Sequence, residues 1–162
     1  MALNIVVCVK QTPLPTDEKS LLPDGRLDRG ATENAMSGYD EVAVEEALRV
    51  QEQHGGEVTV LTMGPEDAAD AVRKALAMGA DKAVMITDDA LAGTDAWGTA
   101  RVLAAAVKRL SPDVVIMGMQ SDDAGTGVVH HALAEYASLP ALTHTAKLTI
   151  EDQTVTTHRP VS

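Results

Sequence analysis

The sequence contains no phenylalanine, and aromatic residues make up only 2% of its 162 positions, so large rings cannot anchor its interior. Apolar content is nevertheless 45%, carried by Ala, Val, Leu, Ile and Met. Small side chains of this kind must pack closely, as helices do against a sheet. Cysteine is nearly absent: Cys8 stands alone, which excludes an internal disulfide and fits a reducing, cytoplasmic compartment. No apolar run approaches the length of a bilayer span, and no small-residue cleavage pattern follows the N-terminus, so neither a membrane helix nor a signal peptide is expected. The 13 basic residues are scattered among 24 acidic ones, giving a net charge of −11. Nucleic acid and anionic lipid surfaces are poor partners for such a chain, although local backbone donors can still hold a single phosphate.

What is present is a repeated alternation of buried strand and amphipathic helix. Four apolar runs, at 4–9, 58–62, 83–87 and 114–117, are continuous rather than alternating, as in parallel strands covered on both faces. Helical spacing separates them. The first helix is expected from Tyr39 to His54, with Val44, Ala47, Leu48 and Gln51 on one stripe and Gly55-Gly56 as its stop. The second follows Gly64-Pro65, has Glu66 and Asp67 in its first turn, buries Val72, Ala75 and Leu76, and ends at Gly79. A third starts with Thr94 as N-cap and carries Val102, Ala105, Ala106 and Val107 to Ser111-Pro112. A fourth starts near Thr126 or Gly127 and carries Val129, Ala132, Leu133 and Tyr136. Beyond Pro140 the pattern alternates through Ala146, Leu148 and Ile150, which predicts a strand, with Val155 on a hairpin partner. The expected architecture is one α/β domain over 1–162, a Rossmann-like parallel sheet with helices on both faces plus a C-terminal strand or hairpin. The stretch Thr12–Met36, rich in Pro, Gly and charge, reads as a long loop with a functional role.

The segment most suited to chemistry runs from Val114 to Gly127, where a buried strand opens into the polar, glycine-rich turn Gly118–Gly127 before a helix. Gly125 and Gly127 let backbone approach a ligand, and the amides of Gly127, Val128 and Val129 at the helix opening suit an anion. The competing reading is an ordinary strand-to-helix turn with water on those amides. The dinucleotide fingerprint and the Walker pattern are both absent, which argues against a nucleoside triphosphatase. Asp122 and Asp123 read first as solvated turn residues, with metal or ribose contact as the alternative. His130 and His131 point about 100° apart on a helix and have no third ligand in register. Cys8, inside an apolar strand, reads as packing rather than nucleophile, and Trp97 as packing or partner contact. No catalytic triad, zinc cluster or paired catalytic carboxylate stands out.

Taken together, several blocks in register resemble the electron transfer flavoprotein beta subunit family across essentially the whole chain. They are Ile5–Pro13, Glu41–Leu48, Gly56–Val60, Met63-Gly64-Pro65, Ala75–Asp81, and the Gly118–Gly127 loop followed by Ala132–Glu135. The resemblance implies an electron-carrier subunit without turnover chemistry of its own. It implies a structural AMP in this subunit, FAD held mainly by the alpha subunit, and dehydrogenases as electron donors. Carried over position by position, the adenosine pocket involves Cys8, Val9, Ser37, Met63, Gly118, Gln120, Asp123 and Thr126, with the phosphate at Gly127, Val128 and Val129. The chain departs from the family at Met119, where lysine is common, at Ser37, where asparagine is common, and at Val128, where glutamine is common. These losses of polar groups favour weaker phosphate binding, or FAD in place of AMP as in bifurcating members. Family members also continue beyond Ser162, so the chain reads as the N-terminal part of a longer beta subunit. The alternatives are a stand-alone adenine-nucleotide sensor of the universal-stress type, whose glycine spacing is not evident, and a small nucleotide hydrolase.

Overall fold

A computed structural model describes residues 2–151 and 153–160. Four strands, β1 (Leu3–Cys8), β4 (Gly56–Met63), β5 (Lys82–Ile86) and β6 (Val114–Met117), form an all-parallel sheet in the order β5-β4-β1-β6. Four helices connect or follow them: α1 (Gly38–His54), α2 (Ala69–Met78), α3 (Ala96–Leu110) and α4 (Val129–Ala137). Beyond them, β7 (Lys147–Glu151) and β8 (Thr154–His158) pair as an antiparallel hairpin. The Rossmann-like α/β expectation and its C-terminal hairpin are both met.

The period of β1 explains the three layers. Ile5, Val7 and Val9 point to one face and pack with Ala43, Val44 and Ala47 of α1 and Ala71 and Ala75 of α2. Val6 and Cys8 point to the other and pack with Ala100, Leu103, Ala104 and Val107 of α3 and Ala132, Leu133 and Ala137 of α4. Successive strand residues face opposite ways, so a central strand sandwiched by helices must be apolar throughout. Alanine does for this interior what rings do elsewhere, letting helix backbones come close to the sheet. At Gly56 even a methyl would not fit: a Cβ there would lie 2.0 Å from the Leu3 carbonyl oxygen, and φ is +111°.

Several local expectations are revised. On α3 the buried stripe is Ala100, Leu103, Ala104 and Val107, which shares only Val107 with the expected set. Leu76 on α2 is exposed, while Val72 and Ala75 are buried as expected. The α3 N-cap is Asp95 rather than Thr94. Its carboxylate accepts the Gly98 N–H at 2.7 Å, while the Thr94 hydroxyl turns back to the Leu91 carbonyl. Asp95→Ala is expected to lower stability by about 1 kcal/mol, read as a shift in urea midpoint at unchanged slope, with Thr94→Val nearly neutral. The Thr12–Met36 stretch is not simply a loop. β2 (Gln11–Pro13) and β3 (Asn34–Met36) pair antiparallel at its base, with a short 3-10 turn at Arg29–Ala31.

Candidate functional site at the sheet's switch point

From β1 the chain steps outward to β4 and β5, then returns to place β6 on the opposite side of β1. The connections therefore diverge between β1 and β6, and in open α/β sheets the crevice beyond the carboxyl ends of two such strands is where ligands bind. Every sequence-predicted site residue lies on that edge. Cys8 ends β1 and Val9 follows it; Met63 ends β4; Ser37 is the residue before α1. Gly118, Gln120, Asp123, Thr126 and Gly127 lie between β6 and α4, Val128 precedes α4 and Val129 opens it. Helix α4 thus begins two to three residues later than expected. Gly125 and Gly127 adopt φ of +57° and +60°, the left-handed region that glycine allows. None of the amides of Gly127, Val128 and Val129 has a hydrogen-bond acceptor among the described residues.

Three carboxylates organise the rim; sequence reasoning gave Asp40 no role and did not foresee the contacts that Asp122 and Asp123 make. Asp40, in the first turn of α1 and only 7% exposed, accepts the Lys10 N–H at 2.8 Å, and its other carboxylate oxygen faces the Gly118 backbone, whose amide favours the charged form. One side chain therefore ties the carboxyl ends of β1 and β6 to α1. Burial pushes its pKa up to about 7, against the opposing pull of those two amides.

Asp122 accepts the Ser37 hydroxyl at 2.9 Å and the Gly38 N–H at 2.8 Å, so the loop after β6 caps α1 from outside. This is why Ser37 is fully buried although its own side chain does not cap the helix.

Asp123 is the third, its side chain 1% exposed. It accepts from the Lys10 ammonium at 2.8 Å, from the Arg29 guanidinium and from the Ala124 N–H at 2.8 Å. Burial alone would raise its carboxyl, but Lys10, Arg29 and Ser121 outweigh that and hold it well below the usual carboxylate range. The expectation of simple solvation is corrected for Asp123; Asp122 is exposed as expected, yet it also bonds to Ser37 and Gly38. Apart from Ala124 and Ser121 beside Asp123, their partners lie 84 to 113 residues away in sequence, out of reach of any local pattern.

The remaining candidates settle plainly. Cys8 is buried, and burial, reinforced by the nearby Asp40 carboxylate, pushes its thiol up to about 12, which leaves no reactive thiolate near neutrality. His130 and His131 stack with ring centroids 4.2 Å apart, His130 partly buried and His131 exposed. No group of three metal-ligating side chains occurs among the described residues. Trp97 is 56% exposed, which removes the packing reading and keeps partner contact. Gln120 donates to the Tyr39 hydroxyl at 3.2 Å, joining the loop to α1 once more. No described helix is long and apolar enough to cross a membrane.

A four-stranded parallel sheet with helices on both faces and a glycine-rich, amide-lined rim at its switch point defines the class: a Rossmann-like α/β domain. The family model described as "Electron transfer flavoprotein domain" matches residues 24–162. Electron transfer flavoprotein subunit beta of Mycobacterium bovis is 44% identical over 96% of this chain and 61% of its own length. The subunit of the same name from Clostridium acetobutylicum is 38% identical over 94% and 59%, and protein FixA of Azorhizobium caulinodans 41% identical over 90% and 54%. The chain belongs to the electron transfer flavoprotein beta subunit family. It spans about three-fifths of the length of the curated relatives it matches.

Proposed function

We propose that the chain is the nucleotide-binding part of an electron transfer flavoprotein beta subunit that holds AMP as a structural ligand at the β1/β6 crevice. The observation that carries this reading is the unpartnered run of amides at Gly127, Val128 and Val129, beside the ends of β1 and β6. Backbone N–H groups at a helix opening suit a phosphate, and this grip needs none of the polar side chains missing at Met119 and Val128. Lys10 and Arg29, both near Asp123, add local positive charge to an acidic protein. Cys8, Val9, Ser37, Met63, Gly118, Gln120, Asp123 and Thr126 line the adenosine side of the same edge.

On this reading the chain is a scaffold and not an enzyme. The redox chemistry belongs to FAD held by an alpha subunit, which receives electrons from dehydrogenases. This chain's part is to bind the nucleotide, to fix the rim through Asp40, Asp122 and Asp123, and to present surface to the alpha subunit, for which exposed Trp97 is a contact candidate. The proposed compartment is the cytoplasm.

Mass spectrometry of small molecules released on denaturing the purified protein tests the ligand. AMP at near-stoichiometric amount is expected; FAD from the isolated chain would replace AMP in the reading, and neither would remove it. Co-expression with an alpha subunit is expected to give a yellow heterodimer, and failure to associate would count against the subunit assignment.

A further inference from the structure

We propose that Asp40 is the positioning residue of the rim: its carboxylate holds the Lys10 and Gly118 amides, and thereby sets the spacing of the β1 and β6 ends on which a nucleotide rests. The part concerning nucleotide affinity rests on the function proposed above. Lys10 is the second residue beyond β1 and Gly118 the first beyond β6, and no ladder contact joins the two strands past Cys8 and Met117. Asp40 bridges that gap from α1. The consequences run into both halves of the site. Lys10 carries the ammonium that holds Asp123, and Gly118 begins the loop that leads to Gly127. There is no slack in the arrangement, because a Cβ on Gly118 would sit 2.3 Å from an Asp40 oxygen. Asp40 touches no proposed ligand position itself and acts through its two amide partners.

The same pair of strands supplies a control. At their amino ends Asp113 accepts the Asn4 N–H at 2.8 Å, a bond of the same type, far from the rim. The test compares wild type, Asp40→Asn and Asp113→Asn. An asparagine keeps the shape but can accept from only one of the two amides through its single carbonyl oxygen.

At pH 8 Asp40→Asn is expected to weaken AMP binding, measured by calorimetry, roughly tenfold, the size of one lost charge-assisted hydrogen bond. Asp113→Asn should change it less than about twofold, as expected of a distant site. The charged or titratable groups facing Asp40 are Lys10 and Cys8 from the β1 side and Asp122 from the loop. The wild type to Asp40→Asn affinity ratio cancels the phosphate's own titration, and it should approach one below pH 6, where the wild-type carboxyl is also neutral. Equal affinity of wild type and Asp40→Asn at pH 8, or an equal loss in Asp113→Asn, overturns the proposal.

Amide hydrogen exchange without ligand gives the second measurement. Faster exchange in Asp40→Asn is expected at Lys10, Gly118 and the loop 119–128, with Asn4 unchanged; retained protection at Lys10 and Gly118 overturns the proposal by itself. Should wild type fail to bind AMP, the nucleotide reading falls, and this exchange measurement decides whether Asp40 organises the rim.

Discussion

Gly118→Ala is expected to cost about 3 kcal/mol of folding stability, the upper end of overpacking penalties, and to weaken any ligand held at the β1/β6 crevice. The backbone at Gly118 does not lie in the left-handed region, so alanine is conformationally acceptable and the penalty is steric. The new methyl would lie 2.3 Å from an Asp40 oxygen and 3.0 Å from both the Tyr39 carbonyl carbon and its Cβ. All three atoms belong to the first turn of α1, a helix that Asp122 pins through Gly38 and that packs into the core at Ala43 and Val44. The Asp40 carboxylate can yield only by swinging off the Lys10 and Gly118 amides, leaving donors unsatisfied at a part-buried position. Either response disturbs the rim. Gly30→Ala provides the contrast. Its Cβ would meet only an Asp28 oxygen, at an ordinary 3.5 Å, so a change within about 0.5 kcal/mol is expected. Urea unfolding of the two variants measures both numbers, and near-equal midpoints would show that α1 is free to retreat from β6.

The edge of the sheet on which the candidate residues lie was legible before any of their contacts. Continuous apolar runs marked the parallel strands, and strand-to-helix turns with glycine marked the edge, because chain order and the pleat fix which ends of the strands carry the loops. Phase was harder. From Val102 to Val107 on α3 every residue is apolar, so periodicity inside that window does not choose a face; Arg101, Lys108 and Arg109, all exposed, choose it from outside. β2 and β3 have three residues each, too few to display a period of two, and they hid inside a segment dominated by Pro and charge. The rim carboxylates were hidden for a different reason. Asp40 lies in a helix's first turn, where an acidic residue is ordinary, and nothing local reveals that its oxygens face the ends of two strands. Burial of a carboxylate is a property of the assembled layers, as are the bonds of Asp122 to Ser37 and of Asp123 to Lys10 and Arg29.

Raising the pH from 5 to 8 is expected to lower the stability of wild type by about 3 kcal/mol through Asp40 alone, and Asp40→Asn should escape that loss. The group's pKa rises from an ordinary 3.8 when the chain is unfolded to about 7 in the fold. Below 3.8 both forms are protonated and nothing is lost. Between 3.8 and 7 the unfolded chain releases a proton that the native one keeps, so stability falls as pH rises, and above 7 both are ionised and the loss levels off. Other groups do not mimic this. Asp123 is held below the usual range, so it is ionised in both states throughout the window and its contribution is constant there. His130 is pushed down, first by burial and then by His131 and His144, so its contribution runs the other way, rising with pH, and it is shared by both proteins. The difference between wild type and Asp40→Asn therefore isolates Asp40. Urea midpoints should coincide only below about pH 4 and draw further apart from pH 5 to pH 8, with the variant more stable at pH 8; a difference that stays constant from pH 5 to pH 8 would mean that the Lys10 and Gly118 amides fully compensate the buried charge. A variant that is more stable at pH 8 and yet organises the rim less well would show that the fold retains an ionisable carboxylate there at the expense of its own stability, the pattern expected where geometry at a site outweighs the energy of the core.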